Sequence, residues 1–274
     1  MMELKALTYT VAEGIARVTL CRPAELNTMN RYFWPEMIQV FRAIDEDPAV
    51  RCVILASTGK HFTAGLDLKW AGENTLARKG GDLGRQREAF RRHVKALQES
   101  INVVDRCRVP VIAVVQGGCI GGGVDLVTAC DLRVCSQDAF FTIQEVNIAI
   151  VADVGTLQRI PHLLPQGLIR ELAYTGRRFP AAEAAHWGFV NRVADSHDAA
   201  LAAAESLARD ICAKSPLAIT GIKQVLNHAR DHSIEDGLEY VAVWNAGMLQ
   251  GDDAACAMKA QMARETAVFA DLAG

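Results

Sequence analysis

The sequence predicts an α/β protein, with a core of short buried strands and amphipathic helices followed by a C-terminal section that is helical almost throughout. Three observations carry this. Residues 52–56 and 111–115 are short apolar runs rich in β-branched residues and bounded by turn formers, the pattern of strands buried on both faces. Over 30–45 and 87–105, apolar residues recur at steps of three and four, the period of a helix with one buried face. Residues 217–270 keep a helical pattern and carry no strand signal. The chain is therefore divided into a core over 1–200 and a helical region over 201–274.

Each element follows from local chemistry. Residues 7–20 alternate around Glu13-Gly14, with Ile15, Arg17 and Thr19 set against Ala16, Val18 and Leu20, which predicts a hairpin. Residues 21–27 form a loop. The helix over 30–45 aligns Met37, Val40, Phe41 and Ile44 and is stopped by Pro48. The strand at 52–56 opens into a small-residue loop at 59–69, and the polar, glycine-bearing stretch 71–86 predicts a mobile segment. In the helix at 87–105, Phe90, Val94, Leu97, Ile101 and Val104 form one buried stripe, while Arg85, Arg87, Arg91 and Arg92 read as a solvated face.

The stretch 109–125 is central. The strand at 111–115 runs into Gly117-Gly118 and then Gly121-Gly122-Gly123, and a helix resumes at 124–130 with Asp125 in its first turn. Strand, glycine turn and helix together aim free backbone N–H groups at negative charge, and glycine lets a ligand approach closely. A glycine-rich packing turn would give the same local pattern. Beyond it, 132–135 and 140–143 read as strands, 155–160 as a helix start, and 165–175, 181–187 and 198–213 as helices.

Composition narrows the function. The chain has 274 residues, half of them apolar, enough for one large domain or a domain with an appendage. Net charge is −3 and no basic stripe exists, so no nucleic-acid partner is expected. No run of eighteen apolar residues suggests a membrane span. The eight cysteines contain no C-x-x-C pair and are expected as buried, reduced thiols, and the seven histidines are read as offering no metal-ligand set. No signal peptide, transit peptide or Ser-Lys-Leu tail is visible, which leads to the expectation of a cytoplasmic, bacterial-type enzyme.

With these residues located, the chain resembles the crotonase (enoyl-CoA hydratase/isomerase) superfamily along nearly its whole length. Two motifs carry the resemblance: Phe62-Thr-Ala-Gly-Leu-Asp-Leu68, and Gly117 to Asp125 closing with Ala129-Cys130-Asp131. The resemblance implies a spiral of ββα units with a C-terminal helical trimerisation region, and hence a homotrimer or dimer of trimers. It implies an acyl-CoA thioester substrate bound at Ala64, Gly65, Leu66, Asp67, Leu68 and Gly122. It also implies an oxyanion hole made by the N–H groups of Leu66 and Gly122. No separate cofactor or metal is implied, coenzyme A being part of the substrate. The chemistry is consistent: proton removal beside a thioester carbonyl puts charge on its oxygen, and one preorganised N–H donor contributes about 2.7–4 kcal/mol there.

A narrower resemblance is to the Δ3,5-Δ2,4-dienoyl-CoA isomerases. It rests on 117–125, on Gln137-Asp-Ala-Phe-Phe141, Ala152-Asp-Val-Gly-Thr-Leu-Gln-Arg159 and Ala229-Arg-Asp-His-Ser233, and on Met248-Leu-Gln250. Three acids of that group match Asp125, Glu145 and Asp153. The resemblance thus implies an isomerase of unsaturated fatty acid β-oxidation that moves the double bonds of a 3,5-dienoyl-CoA to the 2,4 positions. A hydratase of the family would carry glutamates at 125 and 145 and usually glycine at 153; enoyl-CoA hydratase, or a non-catalytic acyl-CoA-binding protein, is the alternative. Asn147 departs from the isomerase pattern, where aspartate is common. Taken singly, each acid has a plain structural reading: Asp125 as helix charge compensation, Glu145 as a surface residue, Asp153 as a cap for the helix near Gly155. Lys69 and Arg22 are candidate contacts for coenzyme A phosphates, His61 reads as structural, and Trp34 and Trp70 as packing residues.

Overall fold

The computed structural model describes residues 3–74, 82–249 and 251–273. It opens with the hairpin that the alternation predicts. Strands β1 (Leu7–Ala12) and β2 (Ile15–Leu20) pair antiparallel around Glu13 and Gly14, whose φ angles are 54° and 76°. A left-handed two-residue turn matches the twist of the strands it joins. Helix α1 (Phe33–Glu46) starts later than its periodicity suggests because the Asn30 side-chain oxygen accepts the N–H groups of Tyr32 and Phe33. Its Met37, Val40, Phe41 and Ile44 are fully buried. Glu36, on the same helix, is also buried. It accepts the N–H groups of Lys5, Ala6 and Leu7, which ties α1 to the start of β1.

Next come β3 (Cys52–Ser57), α2 (Leu68–Asn74), α3 (Leu83–Arg106), β4 (Val111–Val115), β5 (Gly118–Ile120) and α4 (Gly122–Thr128). They are followed by β6 (Leu132–Ser136), β7 (Phe140–Thr142), α5 (Thr156–Arg159), α6 (Gln166–Thr175), β8 (Phe179–Pro180), α7 (Ala181–His186), β9 (Arg192–Ala194) and α8 (His197–Cys212). One sheet has the order β1-β2-β3-β4-β6-β9 and is parallel apart from the opening hairpin. The other has the order β5-β7-β8. Along the chain β4 belongs to the large sheet and β5 to the small one, then β6 to the large and β7 to the small. This alternation, with helices between, is the ββα spiral that the resemblance implies.

The main core lies between the sheets and α1, α3 and α4. A second cluster covers the other face of the large sheet, where Ala200, Ala204 and Ala208 of α8 pack on Ile54, Ile112 and Val134. Alanines four residues apart share one helix face and let α8 lie close to the strands. The boundary expected after residue 200 therefore falls inside a helix of the core. The helices that stand off the core are α9 (Pro216–Asp231), α10 (Ile234–Met248) and α11 (Asp252–Ala263). Each of α9 and α10 begins at a serine whose hydroxyl accepts an N–H of its first turn. Lys223 fixes α9 to the core by donating to Asp131 Oδ2 at 2.7 Å and Val109 O at 3.0 Å. By contrast, α10 and α11 have no buried residue.

Several expectations change. Helix α2 replaces the end of the 59–69 loop, and α3 begins at Leu83, where Asp82 accepts the Arg85 N–H as its cap. The mobile segment expected over 71–86 has its ends in these two helices; its middle, 75–81, lies outside the described residues. Ile101 and Val104 are buried, but Phe90 is 47% exposed, because the first half of α3 extends past the core. Residues 118–120 are a strand rather than part of a glycine turn, paired in parallel with β7. Strands β8 and β9 are too short to show alternation.

Candidate active site

Two backbone loops meet at the C-terminal end of β4. Thr63 N–H donates to Gly118 O and Ile120 N–H to Thr63 O, both at 3.1 Å, so the loop after β3 lies against β5. Thr63 Oγ1 donates to Asn27 O and accepts the Gly65 N–H, which shapes the next turn. Gly65 has φ of 84°, and a Cβ there would stand 2.5 Å from Ile120 O and 3.6 Å from Gly122 N. Only glycine permits that approach. On the other strand of contact, Met29 N–H donates to Gly65 O and Asp67 N–H to Met29 O. Leu66 between them turns its N–H the opposite way. Gly122 opens α4, so its N–H has no partner inside the helix. Among the described residues, neither the Leu66 nor the Gly122 N–H donates to another protein group.

Nearby residues of the first motif are placed less uniformly. Ala64 N–H is held by Leu26 O. Asp67 turns its carboxylate to the Trp70 N–H at 3.0 Å, where it caps α2. Leu68 and Lys69 are exposed. Arg22 donates to Thr28 O and so braces its own loop. His61 Nδ1 accepts the Gly118 N–H at 2.8 Å, a structural contact, and burial holds its pKa below the ordinary histidine value.

The three acids converge beside these loops. Asp125 is fully buried in α4. Its Oδ1 accepts the N–H of Thr156, the first residue of α5, at 2.6 Å, and its Oδ2 has no hydrogen-bond partner. Burial pushes this carboxyl up to about 6, against the opposing effects of the Thr156 N–H hydrogen bond and the Arg159 charge. Glu145 begins a 3₁₀ turn after β7, and its Oε1 lies 3.2 Å from where a Cβ on Gly121 would stand, next to the Gly122 N–H. Its Oε2 is buried without a partner. Burial pushes Glu145 up to about 7, and repulsion from Asp125 and Asp153 adds to the shift. A shared excess of negative charge in a low-dielectric pocket is the condition under which carboxyls hold protons near neutral pH.

Asp153 differs from the other two. It lies just before α5, exposed to solvent between buried Ala152 and Val154. Its pKa is raised by local burial, with His93 of α3 opposing. Ala152 and Val154 supply its apolar surroundings, while Val151 is itself 73% exposed. Nor does Asp153 cap α5, whose N-cap is Gly155 with no side-chain hydrogen bond. Gln98 Nε2 donates to the Asp153 carbonyl at 2.7 Å, and this anchors the segment on α3. Toward the same side, Trp34, Trp70 and His93 follow one another with ring centroids 6.4 and 6.1 Å apart, and Trp34 is buried as a packing residue.

The sequence reading missed the Thr156 N–H and Arg159, since nothing in spacing links α5 to α4. It also passed over His228 and His232, which do have the four-residue spacing of a metal pair. Their rings stack at 3.7 Å rather than converge. No group of three or more ligating side chains able to hold a metal is present among the described residues, and no helix there is long and apolar enough to cross a membrane. All eight cysteines are free.

Comparison with known proteins agrees with this fold. The enoyl-CoA hydratase/isomerase family matches residues 10–266. A protein of Arabidopsis thaliana named peroxisomal Delta(3,5)-Delta(2,4)-dienoyl-CoA isomerase is 43% identical over 98% of this chain and 97% of its own length. The human protein named mitochondrial Delta(3,5)-Delta(2,4)-dienoyl-CoA isomerase is 47% identical over 91% of this chain and 76% of its own length. Among solved structures, an enoyl-CoA hydratase from Bacillus anthracis superposes with a TM-score of 0.87 at 27% identity, covering 97% of this chain and 99% of that one. The expectation of a cytoplasmic enzyme does not stand, because the Arabidopsis relative is named peroxisomal and the human one mitochondrial. Absent targeting motifs were too weak a basis for it.

Proposed function

The chain belongs to the enoyl-CoA hydratase/isomerase family, and on that premise we propose that it is an isomerase converting a 3,5-dienoyl-CoA to the 2,4-dienoyl-CoA of unsaturated fatty acid β-oxidation. The observation that carries this reading is the third acid. A hydratase needs two carboxyls around one water, whereas shifting two conjugated double bonds needs proton transfer at two distant carbons. Asp153 supplies the further group, and relatives at 43% and 47% identity carry the isomerase name.

In this reading the thioester oxygen sits between the Leu66 and Gly122 N–H groups, with Ala64 to Leu68 and Gly122 flanking the substrate. The C2 protons are acidified by the thioester and the diene. Glu145, beside Gly121 and Gly122, takes one of them while ionised; a base that titrates at about 7 is matched to neutral pH. The electron pair forms the C2–C3 double bond, the C3–C4 bond becomes single, C4–C5 becomes double, and the C5–C6 double bond becomes single as its electron pair moves to C6. Charge is carried meanwhile by the dienolate and the thioester oxygen. Asp153 gives its proton to C6, which completes the 2,4-diene. Glu145 then returns its proton to solvent and Asp153 regains one before the next turnover. No cofactor enters, coenzyme A being part of the substrate. Exposed apolar residues on α9, α10 and α11 support a homotrimer or a dimer of trimers.

The test supplies 3,5-dienoyl-CoA and 2-enoyl-CoA separately to the purified protein and follows the diene chromophore and hydration. Turnover of the first with little hydration of the second is expected. Efficient hydration of the 2-enoyl-CoA without diene formation would give the hydratase instead.

A further inference from the structure

Arg159 occupies a place that packing alone does not require. It ends α5, and its guanidinium lies over the start of the same helix. A Cβ on Gly155 would stand 1.8 Å from Arg159 Nη1, and Gly155 itself has φ of 132°, so glycine is needed there on both counts. The next residue is Thr156, whose N–H is the donor to Asp125. The guanidinium is clamped from α3: Nε donates to Asp105 Oδ2 at 3.2 Å and Nη2 to Asn102 Oδ1 at 2.5 Å. Asp105 is in turn held by Arg230 of α9 at 3.0 and 3.3 Å. Although burial works to raise Asp105, Arg230 and Arg159 hold it below the usual carboxylate range, so it stays an anion for the clamp. Nη1 remains buried and without a partner.

We propose that Arg159 is the positioning residue of the three-acid site, its clamped positive charge keeping Asp125 as the standing anion so that Glu145 is the carboxyl that takes up and gives back the proton. The proposal rests on the isomerase reading above. The ionisable groups coupled to Asp125 include Glu145 after β7, Asp153 before α5, Arg159 in α5 and the Cys119 thiol of β5. Arg159 is the only cation among them. Its charge lowers Asp125, acting with the Thr156 hydrogen bond against the burial that raises both carboxyls. Without it, Asp125 holds its proton to higher pH and repels Glu145 less at a given pH, so the two titrations draw together.

The experiment compares the acid limb of the kcat–pH profile on 3,5-dienoyl-CoA in the native protein, Arg159→Gln, Arg159→Lys, Asp125→Asn and the double variant Arg159→Gln/Asp125→Asn. Arg159→Gln is expected to move the limb to lower pH by several tenths of a unit to about one unit. Arg159→Lys, which keeps the charge, stays near the native limb. In the Asp125→Asn background Arg159→Gln moves the limb no further, since its effect runs through Asp125. Equal shifts in the Lys and Gln variants, additive shifts in the double variant, or an unmoved limb would each overturn the proposal. If Arg159→Gln does not fold, Asn102→Leu decides: it frees one arm of the guanidinium, and a downward shift that vanishes with Asp125→Asn supports the proposal, whereas no shift refutes it. If the native protein does not turn over the dienoyl substrate, the isomerase reading fails separately. The order of ionisation is then read from carboxyl carbon NMR of the ligand-free protein, with Asp125 expected to titrate before Glu145 in the native protein and to move to higher pH in Arg159→Gln while Glu145 moves lower; an unmoved Asp125 refutes the proposal.

Discussion

Glu145 and Asp125 both carry their carboxyls where water would otherwise solvate them, and each raises the proton affinity of the other. Two measurable consequences follow at this scale. Asp125→Asn keeps an oxygen for the Thr156 N–H but removes the repulsion on Glu145, so the acid limb of turnover should fall below about 7. Turnover itself should drop less than in Glu145→Gln or Asp153→Asn, each of which removes a proton-transfer group and costs about 10²–10⁴-fold. A pH profile of the three variants checks this. The second consequence concerns stability. Glu145 titrates at about 7 when folded against an ordinary 4.5. Its contribution is therefore complete below pH 4.5 and is lost as pH rises through 7. Glu145→Gln mimics the protonated form, so urea unfolding should show it more stable than native by on the order of 2 kcal/mol at pH 8 and nearly equal at about pH 4.5. A variant that loses activity and gains stability would mark the cost of keeping that charge buried.

Among the elements, the loop–loop contact gives the sharpest test. A side chain at Gly65 would strike the Ile120 carbonyl at 2.5 Å, from a backbone with positive φ, whereas a Cβ on Gly72 in α2 would have nothing within 4 Å. Gly65→Ala should push the Leu66 and Gly122 N–H groups apart, losing turnover by at least about 10²-fold and stability by about 1–3 kcal/mol. Gly72→Ala should leave both unchanged or gain up to about 1 kcal/mol. Parallel kinetics and urea melts of the pair distinguish a strained loop from general glycine loss. The elements also show what could be read beforehand. Strands β2, β3 and β4 and helices α1 and α8 announce themselves because each buries a full face, so periodicity and burial coincide, whereas β1 is mostly exposed and is marked by the Glu13-Gly14 turn. Helix α2 was hidden because Leu68, Lys69 and Gly72 give no stripe, and β5 because the glycines around it obscure a strand of three residues. Of the site, Asp125, Glu145, Asp153, Leu66 and Gly122 were legible as motif positions. Thr156 and Arg159 were not, because they reach Asp125 only through the folded path of α5 and nothing local marks them. Burial of Glu145 is likewise a tertiary fact; its sequence neighbours Val146 and Ile148 are exposed.

At the scale of the whole molecule, the apolar surface is unevenly spread. Leu226, Ile234, Leu238, Val243, Leu249 and Met262 all lie open on α9–α11 and the turn between α10 and α11, and Phe90 does so on α3. So many large apolar side chains open on three successive helices favour a covering partner in solution. Sedimentation should give a mass that is a multiple of 29.8 kDa, threefold or sixfold. Leu238→Glu combined with Val243→Glu should shift it toward the single chain, whereas a native protein that sediments as a monomer at micromolar concentration would remove the expectation.

The buried thiols give the molecule a clock for its own opening. A disulfide reagent is attacked by a thiolate, and burial pushes Cys107, Cys130 and Cys135 up to about 12 and Cys119 well above the ordinary thiol value. Each lies where a reagent arrives only if strand and helix part. Native protein at pH 8 should therefore release at most three equivalents of chromophore promptly from an aromatic disulfide, from Cys21, Cys212 and Cys256, the three that solvent partly reaches. The remaining five should follow at the frequency of structural excursions. Adding an acyl-CoA that fills the site beside β5 should slow the Cys119 event most, so thiol release becomes a tally of how often the ligand-binding half of the fold breathes.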